Sequence, residues 1–494
     1  MSKKLVLGPI LGLESDTLYT VTFISDQTAN QASVIYADNQ VVEAVLIGEI
    51  YSGLVWRAVL SIQVQDNHRH VTYSISVDTE PAEDKAGRTF WTFYVPGAND
   101  KPKFAYASCN GFSDYKMLTT TEQPYRLWKD MATEHFTKPF SLLLLGGDQV
   151  YADSMWTTLS TLKAWNELPR EEKVNRKATK DMRTQLDRFY SELYVDRWNK
   201  EPIAHMLASI PSIMMWDDHD IFDGWGSYPD DLQKKCDVYQ AIFVAARKHF
   251  SLLQVRGRDN TSLLATDDKT HFSMAVNFRG YNILALDNRS ERTLLQVMGS
   301  TQWKDIKQYL ENDCNHGDLL VMAAVPVVYR DFSFAESVVD STPWEEELTD
   351  DLKDHWRAKE HEGERLKLIM ALLENAKIRN AKTVLLSGDV HVGCLGIIRD
   401  LRSQQPISIH QVVSSGIVHP APTYLEWLGI LAVTNDDLEY LEETRSITAD
   451  MLKPQGSNKY IRARNFVTLL EGTDAKLWVN WINEGKDKPA FPLQ

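Results

Sequence analysis

The sequence predicts an α/β protein opened by an all-β sandwich, and two observations carry that prediction. Up to about residue 96, short runs rich in Val, Ile, Thr and Tyr alternate apolar and polar residues, with turn residues between them. After Lys103 the pattern changes to short continuous apolar runs separated by long stretches of helical periodicity, as a buried sheet covered by helices requires. The chain has 494 residues, 43% hydrophobic and 24% charged, which is ample to bury such a core.

In chain order, the apolar start at 5–13 reads as a first strand. Further strands are predicted at 18–25, 31–37, 41–47, 54–65, 71–77 and 89–95. The segment 95–103 clusters Pro, Gly and Asn and marks the boundary between an amino-terminal sandwich (1–100) and the remainder (101–494). Core strands are predicted at 104–107, 141–145, 212–216, 282–286, 319–325, 383–387 and 410–413, with intervening helices at 122–136 and 302–310. Two polar insertions interrupt the core. The one near 156–200 is dense in charge at helical spacing; the one near 331–365 is acidic, with Glu345, Glu346 and Glu347 in a row. Both read as solvated helical faces, with walls or a lid over a site as the alternative. Strand-like alternation returns at 460–467 and 476–482.

Composition excludes several classes of function. The 53 Lys and Arg against 68 Asp and Glu leave a net charge of −15, so general binding to nucleic acid or to an anionic membrane is disfavoured. Four scattered cysteines, none in a Cys-x-x-Cys pair, build no disulfide framework and favour a reducing compartment. The most apolar run, about 319–328, is far short of the roughly 20 residues that span a bilayer. No signal peptide or twin-arginine motif is read at the start, because Pro9 interrupts the apolar run and no cleavage site follows. A cytoplasmic location is therefore expected.

The chemistry sits after the core strands. Cys109, Asp148, Asp217-Asp218-His219, Asp287 and Asp389-Val390-His391 each follow an apolar run, and in open α/β sheets such strand ends converge on one crevice. A single aspartate there is an ordinary turn or helix-cap residue. Several carboxylates in one crevice repel unless cations compensate, so a metal site is the natural reading. Its oxygen-rich set with one thiol and one or two imidazoles suits Ca²⁺, Mg²⁺ or Mn²⁺ at one position and iron at another.

The run GGDQVYAD at 146–153, with WDDHD at 216–220 and SGDVHVG at 387–393, resembles the alkaline phosphatase D (PhoD-like) family of calcineurin-like metallophosphoesterases. YASCN at 106–110 and LDNR at 286–289 match further motifs of that family, in order. The resemblance implies a four-layer α/β/β/α sandwich behind the amino-terminal β-domain. It also implies two or more metal ions, with iron and calcium expected and manganese or magnesium as alternatives. By position, it makes Asp148 the bridging carboxylate, Cys109 and Tyr151 iron ligands, and Asp218, Asp389 and His391 further ligands. Asp217, Asp220 and Asp223 stand as alternatives to Asp218.

The implied activity is hydrolysis of phosphoric mono- or diesters by a metal-bound hydroxide attacking in line. His219 is expected to stabilise or protonate the leaving oxygen. Arg289 is expected either to clamp a phosphate oxygen or to pair with Asp287 or Glu291. The alternatives are a phosphodiesterase for lipid or nucleotide-type linkages and, in another class, a metal-containing binding protein without turnover. His419 is a further candidate for the rim of the site. The sequence leaves the oligomeric state open.

Overall fold

The computed structural model describes residues 2–37, 39–265, 270–331 and 355–493. The acidic stretch at 345–351 lies outside them. Ten strands form one sheet and nine another, with a smaller six-stranded sheet at the amino-terminal end.

The small sheet contains Ala32–Tyr36, Arg69–Val77 and Phe90–Val95, and it packs on Leu7–Leu13, Leu18–Ser25 and Gly53–Ser61, with the rings of Tyr19 and Phe93 5.3 Å apart. That second layer is continuous with the ten-stranded sheet. Leu7–Leu13 runs parallel to Ser212–Met215 through Gly12 and Ser212, and the Ser212 hydroxyl donates to the Leu11 carbonyl at 2.8 Å. The stretch read as one strand at 41–47 is two, Gln40–Glu43 in the small sheet and Val45–Ile50 in the large one. The chain changes sheet at Ala44, as sandwich corners require.

In the ten-stranded sheet, Phe104–Ala107, Leu142–Gly146 and Ser212–Met215 are mutually parallel neighbours. In the nine-stranded sheet, Tyr281–Ala285, Asp318–Met322, Thr383–Ser387 and Ile407–Val413 are parallel in that order. Period-two burial then separates the layers. Leu320, Met322, Val384 and Leu386 join the core shared with the ten-stranded sheet. Their alternates Leu319, Val321 and Leu385 pack with Trp303 and Ile306 of the Ser300–Gln308 helix and with Leu368 and Leu372 of the Glu362–Arg379 helix. The ten-stranded sheet is covered in turn by the Arg126–Thr137 and Glu201–Ser209 helices, through Trp128, Met131, Met206 and Leu207. The core is therefore helix, sheet, sheet, helix. All the parallel strands end on one side, and the chemistry-bearing motifs follow those ends.

The charged 156–200 insertion contains the Lys180–Trp198 helix, which buries Leu186, Tyr190 and Trp198 against the core and leaves its charges in water. No helix among the described residues is long and apolar enough to cross a membrane.

Candidate metal centre

Hydrogen bonds between the loops draw the strand ends together. The Cys109 amide donates to the Gly147 carbonyl (3.3 Å), Asn110 to Asp148 (2.8 Å), His419 to Cys109 (3.1 Å) and Ala152 to His219 (2.9 Å). Gly388 lets the two sheets meet, since a Cβ there would lie 2.1 Å from the Ser108 hydroxyl. Four residues of the crevice hold left-handed backbone: Cys109 (φ 50°), Asp148 (54°), Asp389 (66°) and His391 (53°). Such conformations cost about 1–3 kcal/mol each and cluster where function over-determines the chain. Asp and His enter this region more readily than most side chains and Cys109 does not; all four positions carry a metal-binding type of side chain.

Two groups of donors share one residue. Atoms of Cys109, Asp148 and His391 lie within 4.8 Å of one another, and so do carboxylate oxygens of Asp148, Asp217 and Asp218. Asp148 is 1% exposed and its Oδ1 has no hydrogen-bond partner among the described residues. A buried carboxylate oxygen in that state costs about 1–3 kcal/mol unless something else satisfies it. The Tyr151 hydroxyl lies 3.4 Å from His391 Nε2, beside the first group. Burial, reinforced by Asp217, pushes the Asp148 carboxyl well above the ordinary range. Burial likewise raises the Cys109 thiol, with Asp148 adding to it. Burial, with His419 and His219 nearby, pushes His391 far down, so its imidazole is neutral as a ligand must be. Carboxylates crowded around a buried Asp148, an orphaned oxygen and a neutral imidazole fit two cations, one held by mixed S, N and O donors and one by carboxylates.

Geometry separates the four neighbouring aspartates. Asp220 is spent on the backbone: Oδ1 accepts from the Gln149 and Val150 amides (3.0 Å each) and Oδ2 from the Asp217 amide (2.9 Å). Asp218 Oδ2 accepts from the Gly224 amide at 2.8 Å. Asp223 is exposed at the rim, 3.9 Å from His219 Nε2, and forms a third donor group with Asp218 and His219. Asp217 and Asp218 are the two that face Asp148. Asp389 borders Cys109 through its backbone amide, and its carboxylate belongs to none of the donor groups found among the described residues.

Arg289 is fully buried and pairs with Asp217 and, at 3.4 Å, with Asp218, while also donating to the Trp225 carbonyl at 2.8 Å. Asp287 instead holds its own loop, accepting from the Trp216 indole (2.8 Å) and the Phe272 amide (2.7 Å). The guanidinium thus braces the carboxylates from behind.

His219 Nδ1 is 2.8 Å from Asp153 Oδ2, and Asp153 Oδ1 accepts from the Asp223 amide at 2.9 Å. Burial alone would lower the His219 pKa, but Asp153 and Asp218 outweigh it and raise it well above the usual imidazole range. Four rings stack across the crevice: His219 on Tyr151 (4.4 Å between centroids), Tyr151 on His419 (5.5 Å) and His419 on His391 (3.7 Å). Sequence reasoning did not single out Asp153, although it lies five residues after Asp148 in the same motif. His419, weighed only as a rim residue, is 5% exposed and lies within the stack. His391 and His419 are among the residues that line an open cleft of about 1010 Å³.

Comparison with known proteins agrees with this architecture. The chain is 27% identical over 404 residues to the uncharacterized protein YGR266W of Saccharomyces cerevisiae; the match takes in 70% of this chain and 56% of the yeast protein, so the chain spans little more than half of that relative's length. The solved structure of PhoD superposes with a TM-score of 0.60 at 14% identity, covering 99% of this chain and 89% of that one. A purple acid phosphatase from yellow lupin (Lupinus luteus) seeds superposes at 0.53 and 13% identity, covering 98% and 74%. At such identities these two establish the shared fold. The sequence profile of PhoD-related phosphatase matches residues 62–343 and 342–435. With most of its length matched by that profile, the chain belongs to the PhoD-related phosphatase family.

Proposed function

We propose that the protein is a metal-dependent hydrolase of phosphoric esters. The observation that carries this reading is Asp148, common to two donor groups and left with a buried, unpartnered oxygen between them. In the proposed arrangement Cys109, Tyr151 and His391 would hold one cation and Asp217 and Asp218 a second, with Asp148 common to both groups, and Asp389 would support the first from beyond Cys109. Bound there, the cations would neutralise phosphoryl charge and supply an activated water. The chain's own residues do the rest. Arg289 keeps Asp217 and Asp218 aligned. Asp153 fixes the tautomer of His219 so that Nε2–H points to the crevice and can hold a proton against the leaving oxygen. Tyr151 and His419 wall the crevice and keep His219 and His391 in register.

Diesters are the better-suited substrates, because the cleft lined by His391 and His419 is open and, at about 1010 Å³, large enough to take a second ester substituent. The test is hydrolysis of paired chromogenic mono- and diesters before chelation, after it, and after adding back iron with Ca²⁺, or Mn²⁺. Metal-restored activity with a higher kcat/KM on the diester supports the reading. Stoichiometric metal without turnover on any ester would return the chain to the class of metal-containing binding proteins.

A further inference from the structure

The cleft that shares His391 and His419 with the metal centre carries charges of its own. Arg126, Arg462 and Arg464 line it together with Glu122, Glu426 and Glu484. Arg464 is buried and fully spent: it pairs with Glu484 at 2.8 Å and donates to the carbonyls of Pro124 (2.9 Å), Glu122 (3.0 Å) and Val418 (3.3 Å). Glu426 accepts from the Thr423 amide at 2.7 Å in the capping box of the Tyr424–Val433 helix. Glu484 and Glu426 are thus occupied within the protein, and Glu122 is exposed.

Arg126 and Arg462 are not spent in this way. Arg126 opens the Arg126–Thr137 helix, and its side chain is 51% exposed. Its ion pair with Asp130 spans 3.8 Å in water, a long and weak contact that a better-placed anion displaces. Arg462 is exposed and makes no ion pair among the described residues. Its guanidinium lies 5.3 Å from the Tyr424 ring centroid, a cation–π contact that steadies the planar donors. The fold sets both arginines beside the donor groups. Ile461 pairs with Gly393 in the antiparallel ladder, so Arg462 follows directly on the strand that lies against the end of the loop carrying Asp389 and His391. The bonds of Arg464, two residues after Arg462, tie to that same stretch the segment just before Arg126 and the residue just before His419.

The donor groups take the phosphorus that is attacked, and the cleft takes what is attached to it. In a chain with a net charge of −15, arginines left available there select for negative charge on that substituent. A guanidinium offers a planar fork of donors that matches the oxygens of a phosphate or a carboxylate. We infer that Arg126 and Arg462 bind a second anionic group, a phosphate or a carboxylate, on the substituent of the ester. The substrates are then phosphoric esters with a further negative charge beyond the phosphorus attacked. This rests on the hydrolase reading, and the experiment keeps the two apart.

The metal-loaded full chain is assayed on p-nitrophenyl alkyl phosphate diesters whose alkyl tail ends in a methyl, a carboxylate or a phosphate. Binding of methylphosphonate esters of the same three alcohols, which carry no nitrophenol to release, is measured by calorimetry. Both are done for wild type and for Arg126→Met/Arg462→Met. In wild type, kcat/KM and phosphonate affinity should favour an anionic tail over methyl by about tenfold or more, less so as salt is added. In the double variant both ratios should fall to near one. Each ratio is taken within one protein, so a loss of folded protein cannot mimic the result. The better of the two anionic tails identifies the group that the arginines hold. A wild type that treats all three tails alike, or a double variant that keeps the full preference, overturns the assignment. Turnover of no ester, with anionic phosphonates still bound more tightly by wild type than by the double variant, upholds the arginine pair and overturns the hydrolase reading.

Discussion

Replacing Asp148 by Asn should make the metal-free protein more stable and the metal-loaded protein less so. Oxygens of Asp148, Asp217 and Asp218 lie within 4.8 Å of one another. At that distance two like charges repel by about 3 kcal/mol at an effective dielectric constant of about 20. Proton uptake by Asp148 relieves part of this, since burial and Asp217 already hold its carboxyl well above the ordinary range. The orphaned Oδ1 adds about 1–3 kcal/mol that an amide, able to donate, need not forfeit. Asn adopts the left-handed backbone at φ 54° as readily as Asp, so the turn is undisturbed.

The expected net effect in chelator is a gain of about 1–3 kcal/mol. It should grow as the pH rises from about 4, because a carboxylate whose folded pKa is raised loses stability once it must ionise. With metal present the wild type gains binding energy that the variant forfeits, and the order of stability reverses. Urea unfolding followed by tryptophan fluorescence, with and without metal, measures both. An Asp148→Asn protein that is destabilised in chelator by about 1 kcal/mol or more, or that binds metal as well as wild type, would refute the reasoning.

Four further outcomes follow from the structure. His219→Gln should lower kcat on esters of poor leaving groups by about 100- to 10,000-fold and on nitrophenyl esters far less. Asp153→Asn should show the same pattern, weaker, with metal content unchanged, and equal losses on both ester types would remove the acid role. Arg289→Met leaves two buried carboxylates uncompensated and should cost about 3–5 kcal/mol in chelator, partly recovered on adding metal; a recovery of zero would separate the arginine from the metal centre. His135 and His410 are each held down to about 4 by burial, and His135 Nδ1 accepts from the Phe140 amide at 3.0 Å. The unfolded chain therefore takes up protons below about pH 6.5 that the folded one refuses, so stability present above that pH is lost toward pH 4, at up to about 1.4 kcal/mol per pH unit for each histidine. His135→Gln and His410→Gln should flatten that decline in urea titrations; an unchanged slope would mean other groups carry it.

The layers of this fold are written locally in the chain. Strands such as Phe104–Ala107 and Thr383–Ser387 stand where their apolar runs predict, because hydrophobic periodicity reports which face of an element is buried, whatever it packs against. The candidate ligands were legible for a similar reason. Each follows a strand, and parallel strands must end on one side. What a given side chain does in that crevice was not legible, because it depends on groups far away in sequence. Asp217, Asp218 and Asp220 are adjacent acids of like chemistry; only the folded loops show that Asp220 is consumed by amides about 70 residues away while the other two face Asp148. Arg289 reads as a phosphate clamp or as a partner of Asp287 or Glu291 until the fold pairs it with Asp217 and Asp218. Tyr424–Val433 is apolar enough by composition to be a core helix, yet the fold leaves its Tyr424, Leu425, Leu428 and Leu431 exposed. Periodicity and strand order are properties of neighbouring residues, so the sequence carried them. Ion pairing, burial and the use of each lone pair are settled between residues brought together by the tertiary structure, where competition for the same few partners decides.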